Sequence, residues 1–404
     1  MSTITSVEAF KAAVEEIKQQ EGYKEPIGFG ICRLDRGQVN NEKILQASYP
    51  LINWQENFGS AAIFYQSLVS QGITIDTSAS EVVLPVTEAF IATALEYFAP
   101  FIEETAGDKH KNIQVLLVLA NLIDEGLFDE NLYRVCFIFE ENAPKSVEAV
   151  YLKLYALSTA KAPLRSLNLN GAFGLLTNCA WIGGEPYELE YLRAMEIELK
   201  LRGEFPVIDF VDKFPRLLQH VILADNTRIL EASKVRMGAQ LAAGTTVMPG
   251  ASYINFNAGT TGVSMVEGRI SSSAVVGEGS DVGGGASILG VLSGTNGNPV
   301  TIGKNTLLGA NSVTGIPLGD GCIVDAGIAV LEGTKFVVKP TEWEKIVAVN
   351  PNCQAKTAEK DGMVIIKGLD AAGLHGIHFR QDSTTGQMIA ARSKREIKLN
   401  ADLH

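Results

Sequence analysis

The chain has 404 residues, 46% of them hydrophobic, and a formal charge of -12 at pH 7. This is enough for two or three domains with real cores, and it excludes a disordered chain. The acidic balance argues against nucleic acid or an anionic membrane as the main partner, because both need a cationic surface. Any anionic ligand must therefore meet a local basic patch. Five cysteines (Cys32, Cys136, Cys179, Cys322, Cys353) are scattered and form no CxxC pair. That spacing indicates neither a disulfide framework nor a zinc site, and predicts buried free thiols in a reducing compartment. The N-terminal MSTITSVEAFKAAVEEIKQQ lacks a signal-peptide core, and the longest apolar run, around Val115 to Ile123, is too short to span a bilayer. A cytoplasmic location is expected.

In chain order, Thr5 and Glu8 read as a T-x-x-E capping box that opens an amphipathic helix through Phe10, Val14 and Ile17. The pair Gly28-Phe29-Gly30 is too short for a nucleotide fingerprint. Helices are predicted at Ser60 to Val69, Val86 to Glu104, Asn112 to Glu125 and Val147 to Ala156, with a buried strand at Val135 to Phe139. Tyr187 to Leu201 reads as a helix with Leu189, Leu192, Met195 and Leu199 among its apolar positions, and Phe205 to Pro215 as a transition. Residues 1–225 are thus an N-terminal α/β region, divisible into two subdomains.

Between Ile229 and Phe336 apolar residues return at every sixth position. The series are Ile229, Val235, Leu241, Val247, Tyr253; Ile270, Val276, Val282, Ile288; Ile302, Leu308, Thr314; and Leu318, Val324, Val330, Phe336. Neither a helix nor a strand has this period, and short strict periods mean a solenoid. Four residues after the apolar position the side chain is usually small, as at Ser233, Ala239, Thr245, Ala251, Ala274, Ser280, Ala286, Thr306 and Ser312. The expected fold over 226–336 is a left-handed parallel β-helix with three strands per turn, its apolar positions inward and glycine at its corners. A glycine-rich linker would not keep Ile, Val and Leu in register.

Two stretches break the hexad rule, Asn255 to Arg269 and Ser293 to Val300, and breaks in a regular scaffold are where function is added. After Phe336 a small β-rich cap is expected over 337–404, covering the last coil. Its stretch from Arg380 to Lys398 carries Arg380, Arg392, Lys394, Arg395 and Lys398 against Asp382 and Glu396, a basic patch for an anionic ligand.

No histidine lies between Val221 and Leu374. A histidine-ligated metal and a histidine general base are therefore excluded within the coils, and proton handling there falls to a carboxylate. Glu267 is the best placed, in the first break beside Gly268 and Arg269, where a surface ion pair is the alternative reading. Asp325 and Glu332 are weaker candidates, and Glu278 and Asp281 read as turn residues. Hexapeptide solenoids resemble, as a class, trimeric acyl-CoA dependent transferases, but fold alone does not settle function.

The run MVEGRISSSAVVGEGSDVGGGASILGVLSG, with LLGAN, IPLGDGCIVDAG and the terminal FRQDSTTGQ and LNADLH, resembles the tetrahydrodipicolinate N-succinyltransferase family, in the branch found in actinobacteria and some proteobacteria. The resemblance covers the solenoid and cap. It implies a homotrimer that transfers succinyl from succinyl-CoA to the amine of ring-opened tetrahydrodipicolinate, in lysine and diaminopimelate synthesis. It implies that Glu267 is catalytic, as base or acyl acceptor. It further implies that Arg269, Gly284, Ser287, Ala310, Asp325, Ala326, Gly333, Arg380, Gln381, Asp382 and Ser383 line the succinyl-CoA site. Lys335 and Lys339 would meet the phosphates of CoA. Asp325 stands where the family usually has glutamate, and Ala251 stands where an acidic ligand of an axial metal is expected, so a metal requirement is left open. Two other readings remain: another acyl transferase acting on an amine, and a non-catalytic binding solenoid.

Overall fold

The structure, a computed structural model, describes residues 4–291, 295, 297–394 and 399. Ser293, Gly294 and Asn296 of the expected loop, and Arg395, Glu396, Lys398 and the LNADLH terminus apart from Leu399, lie outside the described residues. Two compact units are formed, one by residues up to Ala156 with Ser166–Pro215, the other by Leu157–Arg165 with the chain from Arg216 onward. The division falls at Pro215, ahead of the boundary expected near 225.

In the first unit, β1 (Gly28–Arg36), β2 (Ile44–Ser48), β4 (Glu81–Pro85) and β5 (Tyr133–Ile138) form an antiparallel sheet in the order β2-β1-β5-β4, with β3 (Asn53–Trp54) paired to β1. Alternation turns Phe29, Ile31, Val135 and Phe137 toward a core shared with Phe64, Leu68, Phe90 and Leu116. Those last four come from α2 (Phe58–Val69), α3 (Glu88–Phe98) and α4 (Lys111–Asp124). The opening helix, α1 (Val7–Lys18), is capped by Ser6, whose hydroxyl accepts from the Ala9 amide, and not by the expected Thr5 and Glu8 pair. The helix predicted from Tyr187 begins at Leu189, because Tyr187 belongs to strand Glu185–Glu188; of its expected apolar positions only Leu192 is buried. The transition region holds a further strand, Phe210–Asp212, paired with Cys179–Ile182.

The second unit is a parallel coil of three sheets. One face stacks Arg228–Ile229, Thr246–Val247, Ser264–Val266, Ser280–Val282, Leu307–Leu308 and Ile323–Val324; a second stacks Tyr253–Ile254, Arg269–Ile270, Ser287–Ile288, Val313–Thr314 and Ala329–Val330; the third begins at Gly259–Thr260. Val235, Val247, Val266, Ile270, Val276, Val282, Ile288, Val324, Val330 and Phe336 have no exposed surface, and burying each such side chain contributes roughly 1.5–3 kcal/mol. This agrees with the expected hexapeptide β-helix. Ala239, Ala274, Ser280, Ala286, Thr306 and Ser312 are buried as small interior residues.

The expected register fails once. Between Val247 and the next inward residue lie six positions, so Ile254 is buried where Tyr253 was expected, and Ser252 replaces Ala251 inside. Tyr253 is half-buried and Ala251 exposed. Carrying that slip forward removes most of the first apparent break: Ile254, Thr260 and Val266 run in hexads, and Asn255 to Val266 is an ordinary coil. What is irregular is the corner from Val266 to Ile270, which holds three residues instead of five. Asp281, read as a turn residue, lies in strand Ser280–Val282.

Leu157–Arg165 straps the third face. Arg165 sits at φ +70°, a left-handed conformation unfavourable by about 1–2 kcal/mol for a side-chain-bearing residue. Its amide donates to Asn257 Oδ1 (2.8 Å), Nε to the Ser273 carbonyl (2.6 Å), Nη1 to Thr301 Oγ1 (2.8 Å) and Nη2 to the Val300 carbonyl (2.7 Å). One side chain thus ties two successive coils, and the main chain adds a third. Arg165→Ala is expected to lower stability by about 2–4 kcal/mol, since it removes three charged hydrogen bonds. A urea midpoint within error of wild type would refute this role.

At the start of the coil, burial pushes His220 down to a pKa of about 4 from its ordinary 6.5. The unfolded chain therefore binds a proton the folded one refuses between pH 6.5 and 4. Stability from this group is complete above pH 6.5 and lost as pH falls toward 4, on the order of 3 kcal/mol. Thermal unfolding of wild type and His220→Gln across pH 4 to 7 should converge at the acid end.

The cap extends the first face. Strand Ile377–Gln381 adds in parallel beside Ile323–Val324, with Ile323 opposite His378 and Val324 opposite Phe379, and turns back as Met388–Arg392. Phe379 is buried against Phe336, ring centroids 4.9 Å apart.

Candidate active site

Every strand of the first face ends at a corner, and parallel pairing stacks these corners into one edge. From coil to coil the edge carries Glu267, then Gly283–Gly285, then Gly309–Asn311, then Asp325–Gly327, and last Arg380. A backbone ladder holds it. The amides of Glu267, Gly283, Gly309 and Asp325 donate to the carbonyls of Val282, Leu308, Val324 and Phe379 at 2.7–3.0 Å. In the reverse sense Gly285 donates to Glu267, Asn311 to Gly284, and Gly327 to Ala310.

Each corner tripeptide therefore spends its first and third N–H on neighbouring coils. The central N–H groups of Gly284, Ala310 and Ala326 donate to no protein acceptor among the described residues. Free amides in a row along a groove edge are anion-seeking. Gly284, Ala310 and Ala326 are three of the positions named by the resemblance, and they share this central place in successive corners.

Glu267 occupies the three-residue corner. Gly268 is required there: a Cβ would stand 2.3 Å from the Ala286 carbonyl oxygen. The half-buried Glu267 carboxylate lies above the next corner, with Oε2 3.6 Å from where a Cβ on Gly284 would sit. It takes no hydrogen bond and joins no ion pair among the described residues. The expected alternative, an ion pair with Arg269, is not formed, because Arg269 Nη2 donates to Ser287 Oγ (2.9 Å) on the adjoining face. Arg269 is exposed and Ser287 buried.

At the cap end of the edge, Asp325 Oδ1 lies 2.7 Å from His378 Nε2, and Oδ2 lies 3.9 Å from Arg380 Nε. The exclusion of histidine within the coils holds, but it does not extend to the edge they form. No coil carries one, but the cap adds a strand to the first face and brings His378 onto the last coil. Only long-range strand pairing reveals that. Gln381 and Ser383 are exposed in the hairpin that follows, whereas Asp382 is committed to building the turn. Its Oδ1 accepts from the Thr384 hydroxyl (2.6 Å) and amides, which hold its pKa below the ordinary carboxylate value. Gly333 lies beyond Val330, on the corner after the second face, and is not part of this edge within one chain. Lys335 and Lys339 follow it and are exposed. Ala251 is exposed, and the described residues contain no group of three or more His, Cys, Asp or Glu placed to hold a metal ion. Four cysteines are buried free thiols and Cys353 is half-buried. No described helix is long and apolar enough to cross a membrane.

The coil falls in the hexapeptide-repeat class of transferases: residues 299–332 match the hexapeptide repeat of succinyl-transferase. Residues 8–174 and 176–216 match the N-terminal and middle regions of tetrahydrodipicolinate N-succinyltransferase. A 2,3,4,5-tetrahydropyridine-2,6-dicarboxylate N-succinyltransferase of a Sulfurovum species is 63% identical over 404 residues, all of both chains. One from a Nitratiruptor species is 64% identical over 401 residues, 99% of this chain and 100% of that one. A Campylobacter jejuni crystal structure, provisionally described as a 2,3,4,5-tetrahydropyridine-2-carboxylate N-succinyltransferase, superposes with a TM-score of 0.90 at 58% identity over 98% of this chain and 100% of that one. The chain belongs to the tetrahydrodipicolinate N-succinyltransferase family and is an acyltransferase. The similarity runs through the first two hundred residues as well, farther than the motifs of the solenoid and cap indicated.

Proposed function

We propose that the chain transfers the succinyl group of succinyl-CoA to the free amine of ring-opened tetrahydrodipicolinate, a step toward diaminopimelate and lysine, and that Glu267 handles the proton. The observation that carries the reading is the Glu267 carboxylate, half-buried, unpaired among the described residues, and set by a shortened corner beside Gly284, where Oε2 is 3.6 Å from the place of a Cβ. The amine nitrogen attacks the thioester carbonyl, a C–N bond forms, and the C–S bond breaks. The proton lost by the amine passes to Glu267 and then to the departing thiolate, giving free CoA. The Gly284 amide offers a donor for the oxyanion of the tetrahedral intermediate, a role that favours the transition state over the bound substrate. Arg269, held by Ser287, and Arg380 are the cations on this edge for carboxylate or phosphate groups. Ala310, Asp325 and Ala326 would carry the donor's chain along the edge, with Gln381 and Ser383 at its end.

Gly333, Lys335 and Lys339 lie on another corner, so their part in the same site requires a neighbouring copy, in keeping with a homotrimer in the cytoplasm. Metal dependence is left to experiment. Mass analysis of products formed from a set of acyl-CoA donors and amine acceptors tests the substrate assignment. The N-succinyl product should form fastest, and faster transfer of another acyl group or to another amine would assign the chain to a different transferase.

A further inference from the structure

We infer that His378 is a positioning residue for the acyl-donor end of the site, acting through Asp325 on Arg380; the inference rests on the acyl-transfer reading above. Strand Ile377–Gln381 alternates in burial, with Ile377 and Phe379 inward and His378 and Arg380 on the outer face. Its pairing with the last coil sets these two outward side chains on either side of Asp325, whose own amide donates to the Phe379 carbonyl at 3.0 Å.

The two carboxylate oxygens are divided between them. His378 Nε2 is at 2.7 Å from Oδ1, hydrogen-bond distance, and Arg380 Nε is at 3.9 Å from Oδ2, ion-pair distance only. His378 is the more enclosed partner, its side chain 26% exposed against 50% for Arg380. A carboxylate with one oxygen fixed by a shielded imidazole cannot swing freely, so the second oxygen holds the Nε side of the guanidinium. No hydrogen bond engages the Nη atoms of Arg380 among the described residues. With half of the side chain exposed, they are available to an anionic ligand. His378 makes no use of proton transfer in this role. It fixes the direction in which Arg380 meets an anionic group of the donor.

The test is steady-state kinetics with succinyl-CoA on His378→Ala, His378→Gln, Arg380→Ala and the double variant His378→Ala/Arg380→Ala, with calorimetric CoA binding and thermal melts of each. His378→Ala is expected to raise KM for succinyl-CoA about tenfold with kcat within about twofold, the scale of one charge-assisted hydrogen bond acting on binding. His378→Gln, whose amide can still donate to Asp325, should recover most of that loss. The double variant should be little worse than Arg380→Ala alone, because both changes remove one interaction. An unchanged KM in His378→Ala overturns the inference, as do fully additive effects or a KM rise that follows only a lowered melting temperature and is not rescued by glutamine. Wild-type protein that releases no thiol from succinyl-CoA would overturn the acyl-transfer reading itself, a failure distinct from these.

Discussion

Glu267→Ala is expected to lower kcat by roughly 10²- to 10⁴-fold, the range of general acid–base catalysis, with stability close to wild type. The second half of that expectation is as diagnostic as the first. In the folded chain the carboxylate accepts no hydrogen bond and pairs with no cation among the described residues, so its removal leaves no buried group without a partner. A structural carboxylate would behave in the opposite way, costing stability and sparing turnover. A variant with near-normal turnover of succinyl-CoA would remove Glu267 from the mechanism.

The second large effect is expected at Gly268→Ala. An added methyl would meet the Ala286 carbonyl oxygen at 2.3 Å, and the Ala286 amide nitrogen and Gly283 carbonyl oxygen at 2.9 Å. All three are backbone atoms of the next coil and cannot rotate away, so the coils must separate at the corner that positions Glu267. The expected cost is about 1–3 kcal/mol by denaturant midpoint, together with loss of activity, because overpacked cores relax by backbone shifts. Gly284→Ala is the control. There the nearest neighbour of a methyl is Glu267 Oε2 at 3.6 Å, an ordinary contact. Stability should hold while turnover falls, since the methyl stands between the carboxylate and the corner. Equal stability in the two variants would show that the shortened corner is not the constraint described.

The sixth-residue period made the coil legible because each inward Val, Ile or Leu is buried on its own, without help from distant sequence. The absence of histidine from the coils was equally plain. Tyr253 was misplaced because one added residue between Val247 and Ile254 keeps a hydrophobic side chain in the expected position, now on the outside against Arg236. That slip also made Asn255 to Val266 look irregular, when only the corner at Glu267 is. His378 escaped notice for a different reason. Its place on the edge depends on a strand pairing across more than fifty residues, and no local pattern records it. The antiparallel sheet of the first unit was hidden for the same cause, with only β5 read as a strand. In that unit, buried strands and helices share similar apolar content, and pairing decides between them.

Free-thiol release from succinyl-CoA by the wild-type protein, followed with and without tetrahydrodipicolinate, tests the central claim most directly. The account predicts release that depends on the acceptor and matches N-succinyl product mole for mole. Thiol release that is absent, or that proceeds equally without the acceptor, would contradict it.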